Sequence, residues 1–294
     1  MYELVQIGEN THYINSPAKM GIYCLPGGRA ILIDSGNDKE AGKKIIKILN
    51  EKGWTLDSVI CTHSNADHVG GNKLLAERTG CKIYATKLES AFCEFPILEP
   101  SFLYGGFPAK KLRNKFLMAE PSIAHDISDF EMPQGMEVFP LKGHYFDMVG
   151  VKTPDDVYFL ADCVFSESII EKYHIFFVYD VAEYLKTLET VKELKGKAFV
   201  PAHAEPATDI RPLADANRDK IFDIIGSIKS ICHAPATFDV LLEGLFDKYS
   251  LTMDFNQYVL VGSTVRSYLS YMLDNQMIGA DFQNNALLWH CAEQ

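Results

Sequence analysis

The chain reads as an α/β protein, and three features of its 294 residues carry that reading. Short β-type runs separated by turns lead into a segment of helical apolar periodicity. The same helix-then-strand unit returns before residue 86, and β-type runs resume after residue 137.

Taken in order, His12-Tyr13-Ile14-Asn15, Met20-Gly21-Ile22-Tyr23-Cys24 and Arg29-Ala30-Ile31-Leu32-Ile33-Asp34 are strands, with Pro26-Gly27-Gly28 as the turn between the last two. A helix follows from Lys39 to Lys52, with Ile45, Ile46, Ile48 and Leu49 as its apolar positions and Gly53 as its stop. Ser58-Val59-Ile60-Cys61 is a short buried strand, Asn72 to Thr79 a helix closed by Gly80, and Lys82-Ile83-Tyr84-Ala85 the next strand.

Residues 88 to 130 break this rhythm with aromatic residues punctuated by Pro and Gly, and predict a partly helical lid or loop, or else core or dimer interface. Phe92, Phe102, Tyr104 and Phe107 are its candidate pocket walls. Strands resume at Glu137-Val138-Phe139, Met148 to Val151 and Val157 to Leu160; a helix at Ala182 to Leu194 and a strand at Lys197 to Val200 follow. Beyond Pro212 the pattern turns helical, at Asn217 to Ile231, Phe238 to Tyr249 and Tyr258 to Asn275, and ends in a hairpin near Gly279 to Trp289. Three helices and a hairpin outline a winged-helix-like module, so the expected domains are residues 1–212 and 213–294.

A hydrophobic content of 47% allows a sizeable core. The first five residues hold no basic leader, and no stretch approaches the roughly 18 apolar residues that span a bilayer, so a cytoplasmic protein with no membrane partner is expected. Seven cysteines without a CxxC pair predict free thiols in place of a disulfide framework or zinc knuckle. The net charge of −11 disfavours a phosphate backbone as partner. From Asn217 onward five basic residues face nine acidic ones, which argues against a DNA-reading helix and for a packing, pocket-capping or dimerisation role.

The chemistry concentrates in Cys61-Thr62-His63-Ser64-Asn65-Ala66-Asp67-His68-Val69-Gly70-Gly71-Asn72, between a strand end and a helix start. Imidazole and carboxylate are the ligand types of a borderline-soft dication, and a tight loop can turn them toward one cavity, with Gly70 and Gly71 relieving crowding behind it. His144, Asp162 and His203 each follow an apolar run, the position where an α/β enzyme places its site. Taken singly, His144 or His203 reads as a hydrogen-bonded core residue; their order and placement reverse that. The remaining histidines, at 12, 125, 174, 233 and 290, have no such context.

In these motifs, over roughly residues 1 to 210, the chain resembles the metallo-β-lactamase superfamily, whose signature is HxHxDH after a strand, then His, Asp and His at later strand ends. The resemblance implies an αββα sandwich and a glyoxalase II-like metal-dependent hydrolase. It assigns His63, residue 65 and His144 to a first metal site, Asp67, His68 and His203 to a second, and Asp162 as the bridge. Asp34 matches a further family aspartate that orients a ligand. The chain departs from the family at Asn65, where the pattern has histidine; an amide oxygen is a poorer zinc ligand, so the first site is expected to be weakened or altered in preference. The implied cofactor is one or two Zn ions, with Fe or Mn as alternatives. The expected reaction is attack of metal-bound hydroxide on a thioester, ester or related acyl bond of a small molecule, with Asp67 orienting the water and taking its proton. Two rivals stand beside it: a non-haem iron oxidoreductase built on His63, His144 and Asp162, and a partly degenerate ligand-binding protein. A homodimer is compatible with either.

Overall fold

The computed structural model describes residues 2–292. Its first sheet is formed by β1 (Glu3–Gln6), β2 (Thr11–Asn15), β3 (Met20–Leu25), β4 (Arg29–Ile33), β5 (Thr55–Ile60), β6 (Lys82–Ala85) and β7 (His125–Asp126), in that spatial order. The first four run antiparallel and the last four parallel. The second sheet contains β8 (Glu137–Pro140), β9 (Val149–Lys152), β10 (Val157–Phe165) and β11 (Ala198–His203), ordered β11-β10-β9-β8, with only β10 and β11 parallel.

Period-two alternation sorts the side chains of β4 between two cores. Ile31 and Ile33 meet Val157, Phe159 and Val200 of the second sheet, whereas Ala30 and Leu32 face outward onto Ile45, Ile48 and Leu49. Those three belong to α1 (Lys39–Lys52), whose N-terminus is capped by Asp38 and whose C-terminus is closed by left-handed Gly53. Helices α2 (Ala66–Val69), α3 (Asn72–Thr79), α4 (Lys87–Glu94) and α5 (Leu98–Tyr104) complete the first half.

The outer face of the second sheet, with Tyr158 and Leu160, packs on α6 (Glu167–Tyr173), α7 (Val181–Glu193), α8 (Arg211–Ile231), α9 (Phe238–Lys248) and α10 (Phe255–Asp274) in one continuous core. A hairpin of β12 (Ile278–Gln283) and β13 (Ala286–Cys291) ends the described chain. Helix, sheet, sheet, helix is the expected αββα order. The C-terminal segment shares its hydrophobic core with β10 and α7, because Ile221, Ile224 and Ile228 on one stripe of α8 join Leu188 and Val191 of α7.

Several elements lie outside the sequence expectation, short α2 and β7 among them. Edge strand β1 is too polar to announce itself, α6 is only two turns long, and β10 runs on beyond Leu160 to Phe165 with every residue buried. All seven cysteines are free thiols, as expected. No helix among the described residues is long and apolar enough to cross a membrane.

Candidate metal centre

The segment between β5 and α3 is held in place before any ligand is considered. Asp34, at the end of β4 with φ of 60°, accepts three hydrogen bonds through its buried carboxylate: from Thr62 N (2.7 Å), Thr62 Oγ1 (2.7 Å) and the Nδ1 side of His68 (2.8 Å). Short acidic side chains tolerate that left-handed backbone. Gly70 and Gly71 let the following turn press directly on Ser35 and Asn37, where any Cβ would strike backbone.

The second sheet supplies the rest. His144 follows Gly143, whose φ of 116° and contact with the Tyr184 backbone leave no room for a side chain. Asp162 follows Ala161, at φ of 47°, in a stretch where the register of β10 against β11 shifts, so a bulge re-aims the carboxylate. His203 closes β11.

Each of the four imidazoles is anchored through Nδ1: His63 to Thr62 Oγ1 (3.1 Å), His68 to Asp34 (2.8 Å), His144 to the Phe177 carbonyl (2.9 Å) and His203 to the Pro17 carbonyl (3.0 Å). That leaves Nε2 of each ring directed inward. His68 Nε2 lies 3.1 Å from Asp162 Oδ1, and His203 Nε2 lies 3.3 Å from both Asp162 Oδ2 and Asp67 Oδ2. His144 Nε2 is 3.6 Å from Asp162 Oδ2. Ligand atoms at zinc bond lengths sit roughly 3.3–3.6 Å apart along a tetrahedron's edges. Two sets whose ligand atoms all lie within 4.8 Å of one another emerge, His63/His144/Asp162 and Asp67/His68/His203.

Donor chemistry fits a cation. His63 Nε2 is buried without a hydrogen-bond partner, a costly condition that a dication relieves. Burial drives His63 and His144 below the usual histidine range. Burial opposes the charged form of His68 and His203 as well, but Asp162 and its acidic neighbours outweigh it, raising His68 well above that range and His203 to about 10. Burial likewise opposes ionisation of Asp67 and Asp162; the cationic rings of His68 and His203 prevail and hold both below the usual carboxylate range. The site therefore demands positive charge.

Asn65 faces this cluster. Its Nδ2 donates to Glu99 Oε1 (2.8 Å), which turns Oδ1 toward His144 Nε2 at 3.2 Å. Because His144 Nδ1–H is committed to the Phe177 carbonyl, two lone pairs address one another there, an arrangement stabilised by a cation. All seven expected positions are thus brought together.

Glu99 and Glu89, both buried, escaped sequence reasoning, since a glutamate in a short helix reads as a solvated face. Glu89 accepts from Ser64 N, Ser64 Oγ and Asp147 N, tying the His63 loop to the His144 loop; burial pushes its carboxyl up to about 7. The apolar neighbours of Glu99 (Ile97, Leu98, Pro100) were the available signal.

A cavity of about 750 Å³ opens over the cluster. Its floor includes Asn65, Asp67, His144, Asp162 and His203. The expected wall residues Phe92, Phe102, Tyr104 and Phe107 do not line it; the insert contributes Leu103, Phe116 and Leu117 instead. The turn of α5 explains the exchange: Phe102 points into an aromatic cluster with Phe92, Tyr145 and Phe146, which leaves Leu103 toward the cavity.

The sequence-family comparison agrees with this geometry: residues 20–203 match the metallo-beta-lactamase superfamily, and the chain belongs to that superfamily. A Drosophila melanogaster beta-lactamase-like protein 2 homolog is 26% identical over 204 residues, 67% of this chain and 58% of the fly protein. A hydroxyacylglutathione hydrolase of Erythrobacter litoralis is 39% identical over 69 residues, 21% of this chain and 28% of that enzyme. The chain thus spans well under two thirds of these relatives' lengths. Among solved structures, a beta-lactamase domain protein from Burkholderia ambifaria superposes with a TM-score of 0.78 at 15% identity, covering 99% of this chain and 94% of that one. A metallo-beta-lactamase family protein from Thermus thermophilus gives 0.71 at 15% identity, covering 96% and 98%. At such identities the likeness establishes the fold.

Proposed function

We propose that the protein is a metal-dependent hydrolase of a thioester, ester or related acyl bond in a small molecule, with His63, Asn65 and His144 at one centre, Asp67, His68 and His203 at another, and Asp162 between them. The observation that carries this reading is the convergence of four imidazoles and two carboxylates in two clusters, of which His144, His203, Asp67 and Asp162 reach the floor of one cavity. One or two Zn ions suit that donor set; Fe or Mn are the alternatives. A bound dication supplies Lewis-acid chemistry, polarising an acyl oxygen and acidifying water.

The chain's own contribution is positional and protonic. Thr62, Asp34 and the carbonyls of Phe177 and Pro17 hold each ring through Nδ1, so that Nε2 of each would face a bound metal once its proton is displaced. Asp67, held ionised beside His203, orients water and receives its proton as the acyl carbon is attacked. The buried apolar walls would shield the acyl group on its flanks. We read residues 213–294 as a winged-helix-like module that caps the pocket and serves no nucleic acid; a homodimer fits this role.

Protein stripped of metal should lose turnover of generic thioesters and regain it with zinc. Undiminished activity after verified chelation overturns the proposal. A second reading, a non-haem iron oxidoreductase, draws on the two-His-one-carboxylate set His63, His144 and Asp162. Iron in protein made without added zinc, together with oxygen uptake, would favour it.

A further inference from the structure

The cavity walls carry a statement about what enters. They are built from Leu103 of α5, Leu117 of the insert, Phe165 at the end of β10, Phe176, and Leu260 and Val261 of α10. All but Leu260, which is half-buried, are buried even without a ligand, so these surfaces form a preshaped apolar sleeve. Phe116, 77% exposed, stands at the mouth.

Basic side chains that would hold a fixed anion are scarce around the cavity. Lys172, exposed at the rim, is the one lysine or arginine among the lining residues. Recognition of fixed carboxylates or phosphates relies on arginine forks or lysine clusters, and the −11 charge of the chain adds repulsion. Lys110, Lys111, Arg113 and Lys115 lie on the neighbouring insert but do not line the cavity; Arg113 covers the Phe107 ring and Lys115 pairs with Asp38.

From this we infer that the substrate is an uncharged ester or thioester with an extended apolar tail, seated between α5 and α10, and not a conjugate of an anionic tripeptide such as glutathione. The inference rests on the hydrolase reading for its chemistry, and on the apolar sleeve and its scarcity of basic side chains for its selectivity.

The test uses zinc-reconstituted full-length protein and uncharged N-acetylcysteamine thioesters from acetyl to octanoyl. Full burial of a methylene is worth about four-fold in affinity. With half of six added methylenes buried, kcat/KM should rise roughly fifty-fold from acetyl to octanoyl. The butyryl thioester of N-acetylcysteamine should exceed that of glutathione or of coenzyme A. Leu260→Trp, which fills the sleeve from α10, should lower the octanoyl-to-acetyl ratio at least ten-fold. A flat or falling chain-length series, or preference for the anionic thioesters, overturns the inference while leaving the hydrolase reading intact. If no thioester is turned over, the hydrolase reading is what fails, and calorimetry decides the sleeve: octanamide should bind roughly fifteen-fold tighter than butyramide, and equal binding overturns the inference.

Discussion

Asn65 offers the sharpest perturbation. Its amide is oriented by one hydrogen bond, Nδ2 to Glu99 Oε1 at 2.8 Å, and that bond alone decides which end faces His144. Asn65→His presents an imidazole in place of a neutral oxygen and can still donate to Glu99, so the first centre should bind zinc at least ten-fold tighter, about 1.4 kcal/mol. Asn65→Ala removes the ligand and strands a buried carboxyl. An unsatisfied buried acceptor costs about 1–3 kcal/mol, which lowers the melting temperature by a few degrees in a chain of this size. Chelator-competition titration of both metal equivalents and calorimetric melting of the metal-free protein measure these effects. If Asn65→His binds zinc no more tightly than the parent and Asn65→Ala melts unchanged, the amide is not directed at a cation and the reasoning is refuted.

Asp34→Asn removes the charged acceptor of three buried donors and should weaken metal binding at the His68 centre by about 10–100-fold, read by the same titration; unchanged affinity would show that Thr62 alone fixes the loop. Gly143→Ala forces a Cβ into the Tyr184 backbone at a positive φ, and should destabilise the protein by more than about 2 kcal/mol in denaturant unfolding. Glu89 sets a pH dependence. Its folded carboxyl titrates at about 7 against an ordinary 4.5, so the folded state keeps a proton that the unfolded chain has shed across that window. Its stabilising contribution is full below the window and declines by about 3 kcal/mol as pH rises through it. Glu89→Gln should flatten that slope in unfolding curves taken at several pH values.

Much of the architecture was legible because the continuous apolar run of β4 beside its Pro26-Gly27-Gly28 turn and the apolar periodicity of α1 ending at Gly53 are local signals that tertiary packing reinforces. Strand β10 was read short because Asp162 looked like a terminus; it is instead a polar residue carried on a bulge inside a fully buried strand, and no local rule separates those cases. At the site, residue type and order announced His63, Asp67, His68, His144, Asp162 and His203. Glu89 and Glu99 did not, since their roles exist only after α4 and α5 fold over the loop they support. The mistaken wall residues have the same origin: the aromatic content of the insert was plain, but one turn of α5 decides whether Phe102 or Leu103 meets the cavity.

The placement of α10 has a further consequence. One stripe of this helix seals the shared core through Val265, Tyr268 and Leu269, while Gln257, Leu260, Val261 and Thr264 look onto the cavity. Because none of these residues contributes a ligand atom, the helix works like an exchangeable jaw. Under the proposed reading, substitutions along it would retune which molecules are admitted without disturbing the histidine nest, whereas truncating the chain before it would remove one wall of the cavity.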